Sequence, residues 1–290
     1  MSTTATATIE RKSASEIARG IRELEPLPAT ALQLLRLLNG ENVSMARVAE
    51  LVEVDQAIAA SVLRMASSAA FSGSRAPTTV REALMRTGTL PLLTMVMGGY
   101  LSRLIQAAPL YDLSESDLWN HGAASQLAVQ AIGRELPERP LAPLAATAAL
   151  LHDVGKLITA RYLKGSVADI SSHAARTGRT FVDAERNLFG TDHAEVGAAV
   201  AAEWAFPPEL VHAIAHHHDS PITEPTSILD AVVTANVVAK AIGAGLGAEG
   251  FNLAFDESAA TRLGITWTTF GRVCLLTDEW LRDLRLSLQH

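Results

Sequence analysis

No run of this chain sustains the apolar–polar alternation of a half-buried strand, whereas apolar residues recur throughout at three- and four-residue spacing. Ile17, Ile21 and Leu24 are spaced this way, as are Leu32, Leu35 and Leu38. Aromatic residues make up 5% of the chain although 48% of it is apolar, so its core must come mainly from Ala, Leu, Val and Ile. Ala and Leu favour helices, and a sheet-rich fold would use more aromatic side chains. The fold class expected is therefore all-α.

The helix boundaries are legible in the breakers. Pro26 and Pro28 interrupt the first helical pattern, and Asn39-Gly40 closes the second. Ser44 and Asp55 stand where N-caps are needed for helices through Val52 and from Gln56 to Ser67. Short helices are expected from Thr78 or Thr79 through Met85 and, as a buried one, over 90–105. Ser114 or Ser116 should cap a helix through 135. One apolar helix is expected over 144–163, then others near 166–177, 180–188, 192–204 and 207–217. A further apolar helix is predicted over 227–242, and an amphipathic one over 266–286. The glycine-rich stretch 241–250 follows no strand and lacks the spacing of a phosphate-binding loop. Four sections result: a disordered lead over 1–12, a helical N-terminal subdomain over 13–110, a helical subdomain over 111–250 and a helical extension over 251–290.

Lys and Arg number 24 against 31 Asp and Glu, for a net charge of −7. Such a surface repels phosphate backbones, so no nucleic-acid partner is expected. The single cysteine, Cys274, excludes an internal disulfide and a cysteine-built zinc cage, and reads as a small core residue. No apolar run reaches the length of a membrane span, and residues 1–12 lack the apolar centre of a signal peptide. A cytoplasmic protein without a membrane partner is expected.

Eight of the nine histidines fall between residues 121 and 218, and six of them stand where a helical pocket could gather them: His121, His152, His193, His216, His217 and His218. Asp153 adjoins His152 and Asp192 adjoins His193. Imidazole and carboxylate together suit borderline divalent metals such as iron, manganese or zinc. Adjacent residues on a helix diverge by about 100°, so His152-Asp153 offers two ligands to one centre or one bridging carboxylate. A buried carboxylate in Ala-Leu-Leu-His-Asp-Val-Gly-Lys-Leu needs a partner, which favours a polar pocket over plain core. Glu185 with Asp192 offers an acid/base pair, although a surface or capping role is the expectation. Met85, Met95 and Met97 read as core packing.

The string LLHDVGKL (150–157) resembles the signature of the HD superfamily of metal-dependent phosphohydrolases. The chain as a whole is similar to HDOD-domain proteins, the HD-related output domain of bacterial signalling. The likeness runs through LEPLPATALQLLRLLN (24–39) and VAELVEVDQAIAASVLRMASSAAF (48–71), with Ser67 replacing the usual Asn. It continues through LWNH (118–121), ERNLFGTDHAEVGAAVAAEWAFP (185–207) and AIAHHHD (213–219), and so spans roughly residues 20–245. The resemblance implies a multi-helical HD-like bundle preceded by a smaller helical N-terminal subdomain. It implies metal ligands at His121, His152, Asp153, His193, His217 and His218. The last ligand position of the enzymatic relatives, an aspartate, falls at Asn236, a neutral and weaker oxygen donor. Lys156 matches a lysine that can contact phosphate. The Gly-Tyr-Pro motif of cyclic-di-GMP phosphodiesterases is absent, with SPITEP (220–225) in its region.

Two functions follow from this resemblance. The leading one is a non-catalytic regulatory module acting through a signalling protein partner or a nucleotide-type small ligand. The rival is an active phosphohydrolase on a nucleotide or cyclic dinucleotide, in which Asp153 and Lys156 would serve catalysis and a divalent ion would be the cofactor.

Overall fold

The computed structural model describes residues 13–24, 29–38, 44–67, 77–89, 92–93, 95–96, 115–162, 167–244 and 257–288. The lead over 1–12, the Asn39-Gly40 stop and most of the helix expected over 90–105 lie outside them. Among the described residues every regular element is a helix. Five precede the site: α1 (Ala14–Leu24), α2 (Ala29–Leu38), α3 (Met45–Glu53), α4 (Gln56–Ser67) and α5 (Val80–Thr87). Then come α6 (Glu115–Glu135), α7 (Pro143–Leu151), α8 (Val154–Tyr162), α9 (Val167–Thr177) and α10 (Phe181–Phe189). The last five are α11 (His193–Glu203), α12 (Pro208–His216), α13 (Ser227–Ala241), α14 (Glu257–Leu263) and α15 (Trp267–Leu288).

The caps are those the residue types call for. Ser44 accepts from the Arg47 amide, and Asp55 Oδ1 accepts from the amides of Ala57 and Ile58 at 3.1 Å each. Thr79, Thr180, Asp192 and Thr226 cap α5, α10, α11 and α13 in the same way. Gly190 ends α10 in the left-handed conformation, φ 82°, which costs a glycine nothing.

Helix α13 is buried on every side from Ile228 to Ala239, and a helix apolar all round belongs inside a fold. It packs against α6, α7, α12, α14 and α15, so the bundle is built around it. Asp230 on α13 is buried and receives a bidentate grip from Arg262 of α14, at 2.8 and 2.5 Å. Helices α2 to α5 pack on one another and reach the bundle through α4 against α15. Helix α1 docks instead on α8 and α11. One contiguous buried cluster joins Ala31 and Leu34 of α2 to Leu151, Val196 and Val232.

Two expectations are corrected. The predicted single helix over 144–163 is two helices, α7 and α8, broken at His152-Asp153. His152 is the C-cap of α7, and the Lys156 amide bonds the Asp153 carbonyl in a tight turn at 3.0 Å. Leu and Ala on both sides are helix formers, so the break comes from tertiary packing, not local propensity. Met85 is 72% exposed instead of buried, because α5 turns Val80, Ala83, Leu84 and Thr87 inward.

Candidate metal centre

Four chain segments deliver the histidines. His121 lies inside α6, His152-Asp153 in the turn between α7 and α8, and His193 in the first turn of α11. His217-His218 follow directly on the end of α12. Both adjacent pairs thus stand at helix ends, where the backbone can aim two successive side chains at one point. Close helix crossings bring the segments together. A Cβ on Gly155 would lie 1.8 Å from the His193 carbonyl oxygen, and one on Gly122 would lie 2.7 Å from that of Leu150. Glycine is required at both, each one or two residues from a candidate ligand.

His121, His152, Asp153, Lys156, His193 and His217 are all buried, with His152 and His193 fully so. Two overlapping groups of donor atoms, each within 4.8 Å of one another, are present: His121, His152 and Asp153, and Asp153, His193, His217 and His218. The structure therefore gathers His121, His152, Asp153, His193, His217 and His218 of the residues expected as ligands, with Asp153 common to both groups. Asn236 stands buried on α13 with its Oδ1 lacking a hydrogen-bond partner. His216 is turned elsewhere, to Asp219 at 2.7 Å.

The hydrogen bonds fix the tautomers. A carbonyl oxygen only accepts, so the Nδ1 of His121, His152 and His217 must each carry a proton. They donate to Ala244 at 3.1 Å, Ala149 at 2.8 Å and Ile214 at 2.7 Å. His193 Nδ1 donates to the Glu185 carboxylate at 2.6 Å. All four rings are thus pinned from behind, and their Nε2 atoms turn toward the centre. His121 and His152 meet Nε2 to Nε2 at 3.3 Å, and His193 and His218 at 2.9 Å. His217 Nε2 and Asp153 Oδ1 are buried without a hydrogen-bond partner. Converging lone pairs and an unsatisfied carboxylate oxygen are the donor set that a divalent cation of the iron, manganese or zinc type satisfies.

The same surroundings set the proton affinities. Burial pushes His121, His152 and His218 below the ordinary imidazole value, the last two strongly, with neighbouring histidines adding to the effect on His152 and His218. Burial opposes charge on His193 too, but the Glu185 carboxylate outweighs it and raises the ring to about 10. Burial likewise disfavours the Asp153 carboxylate, yet Lys156 and His152, with His193 and His217, hold its carboxyl well below the usual range. The centre thus keeps His121, His152 and His218 neutral and its aspartate ionised, the forms in which these groups bind metal, while His193 beside Glu185 carries a second proton.

Glu185 is the residue that sequence reasoning misplaced. It is fully buried and orients His193 instead of lying at the surface or capping a helix. The two stand eight residues apart on different helices, so only the α10–α11 turn reveals the pairing. Asp192 caps α11 as expected, accepting from the Glu195 amide at 2.8 Å, and also pairs with Arg186. Cys274 is half-buried and its thiol is pushed up to about 11 by burial, in keeping with a packing role.

The HDOD domain family model matches residues 24–220. The chain belongs to the HDOD family. The match covers the break at His152-Asp153 and all six gathered candidate ligands, and ends before α13. This HDOD chain is similar in fold to a protein of Shewanella amazonensis SB2B provisionally described as a phosphohydrolase. That likeness has 24% identity and a TM-score of 0.68, over 96% of this chain and 98% of that one. It also resembles a protein of Marinobacter aquaeolei VT8 provisionally described as a signal transduction protein. There the identity is 22% and the TM-score 0.70, over 99% of this chain and 62% of that one. A curated relative, an uncharacterized protein of Treponema pallidum (strain Nichols), is 24% identical over 220 residues, 72% of this chain. The HDOD chain spans 40% of that relative's length. At these identities the likenesses show the fold, and no helix among the described residues is long and apolar enough to cross a membrane.

Proposed function

We propose that this HDOD chain is a cytoplasmic signal-transduction module that does not catalyse hydrolysis, and that its His/Asp centre organises a surface for a signalling protein partner or a nucleotide-type ligand. The observation that carries this reading is the charge of the centre: of the six gathered donors, Asp153 alone is anionic. Where a completing aspartate was expected, Asn236 stands. Hydrolysis by two clamped ions needs enough negative charge to hold both in a buried site, and one carboxylate among imidazoles supplies little. His121, His152, Asp153, His193, His217 and His218 would hold the ion. When bound, a divalent cation supplies a cross-link between α6, the α7–α8 turn, α11 and the end of α12.

The phosphohydrolase reading keeps one observation in its favour. Asp153 belongs to both donor groups, as a bridging carboxylate would. Metal content of protein purified without chelator, followed by a phosphodiesterase screen with added manganese or iron, separates the two. Bound metal without turnover of nucleotides or cyclic dinucleotides is expected. Turnover in either condition overturns the regulatory reading.

A further inference from the structure

A cavity of about 390 Å³ lies among α13, α14 and α15, helices beyond the residues 24–220 that the family model matches. Its inner wall is apolar, with buried Val237 of α13, Ala260 of α14, and Ile265 and Phe270. Two exposed residues also line it, Glu257 and Trp267, the latter 79% exposed. Trp267 stands beside Phe270 in an edge-to-face contact, with ring centroids 6.1 Å apart. Among the described residues that line the cavity, Glu257 alone is charged. The hydroxyls there are already engaged: Thr261 donates to the Glu257 carbonyl at 3.1 Å, and Thr266 pairs with Thr269 at 2.9 Å. Arg262, the one cation of α14, grips Asp230 on the central helix instead of Glu257.

We propose that this cavity binds a small aromatic amine, its flat body against Val237, Ile265 and Phe270 and its ammonium between the Glu257 carboxylate and the Trp267 ring. The volume falls in the range of small-molecule sites, which are mostly apolar with a few polar groups that fix orientation. A tryptophan left so exposed beside other apolar side chains keeps in water an area that such a ligand would cover. Charge selects the cation. The carboxylate repels an anion, attracts an ammonium, and is seconded by the indole face, the aromatic surface that holds cations best. The chain's net charge of −7 works in the same direction. A divalent metal fits poorly, because it needs several oxygen or nitrogen donors and the cavity offers one carboxylate. None of the residues lining the cavity belongs to the His/Asp centre, so the inference stands apart from the reading of that centre.

The test is titration calorimetry of the full chain with tryptamine and phenethylamine, set against the neutral alcohols tryptophol and phenylethanol and the anions indoleacetate and phenylacetate. The amines are expected to bind at a single site per chain, and the alcohols and anions about tenfold more weakly or not at all. Glu257→Gln should weaken the amines about tenfold and leave the alcohols unchanged, whereas Trp267→Ala should weaken amines and alcohols together. Both side chains are exposed, so neither substitution disturbs the core. Failure of both amines to bind, equal binding of amines, alcohols and anions, or amine binding unchanged in either variant would overturn the proposal. A lysine- or arginine-bearing peptide that binds where both amines fail would assign the cavity to a protein partner, and would overturn it too.

Discussion

Gly155 sits so close to His193 that a Cβ on it would come within 1.8 Å of the His193 carbonyl oxygen and 2.7 Å of the Gly197 amide. The glycine two residues after Asp153 is thus the point at which α8 crosses α11, and the crossing sets His193 against Asp153. Both clashing atoms are backbone and cannot swing aside. Gly155→Ala is expected to cost about 3 kcal/mol, the upper part of the range for overpacking, and to release metal. Gly271→Ala, in exposed helix with nothing within 4 Å of the new methyl, is expected to stabilise by about 0.5–1 kcal/mol. Thermal unfolding of both variants, with metal analysis, checks the contrast.

Glu185 fixes the His193 ring through a 2.6 Å hydrogen bond between two fully buried groups, and the same oxygen accepts from the His193 amide at 3.4 Å. Glu185→Gln keeps the shape and removes the charge. Metal affinity should fall by about 10–100-fold, the usual penalty for losing the partner that orients a ligating histidine. Chelator competition measures it, and an unchanged affinity would mean that His193 is held by packing alone.

The metal-free protein should be most stable near pH 6.5. His121, His152 and His218 are held below their ordinary 6.5 by burial, so the unfolded chain takes up protons first and stability falls as pH drops below 6.5. His193, raised to about 10 by Glu185 against the effect of burial, runs the other way. Its contribution is whole below 6.5 and is lost as pH rises toward 10. Melting temperatures in chelator should therefore decline on both sides, and Glu185→Gln should flatten the alkaline arm.

The bidentate pair of Arg262 with buried Asp230 ties α14 to the central helix. Arg262→Ala leaves a buried carboxylate without that partner. Because the arginine side chain is about a third exposed, the expected loss is about 1–3 kcal/mol, less than for a wholly buried pair. Hydrogen exchange should quicken over 257–263 before it does so elsewhere.

The helices and the six clustered histidine and aspartate residues were legible because they depend on local signals: caps, breakers, spacing and a compact motif. Ser44, Asp55 and Asp192 cap where their residue types suggest. What stayed hidden depends on contacts between distant segments. The break at His152-Asp153 lies among helix formers, and the burial of Glu185 depends on how α10 meets α11. The roles of Gly122 and Gly155 exist only once α6 has met α7 and α8 has met α11. The hold of Lys156 on Asp153 is a matter of side-chain direction, on which a sequence motif is silent.

Helix α1 begins at Ala14 but packs on α11, which begins at His193. On a ribosome adding 5–20 residues per second, about 10–35 s separate the synthesis of the two. Over that interval the apolar side of α1, with Ile17 and Ala18 buried in the finished fold, lacks the α11 surface that helps to cover it. Of the described helices α1 is made earliest and is among the last to be seated, and its docking closes a long loop onto the helices that carry Lys156 and His193. A chain released before α11 is complete cannot bury α1 in this way, so truncated products should be caught by chaperones or proteases through α1.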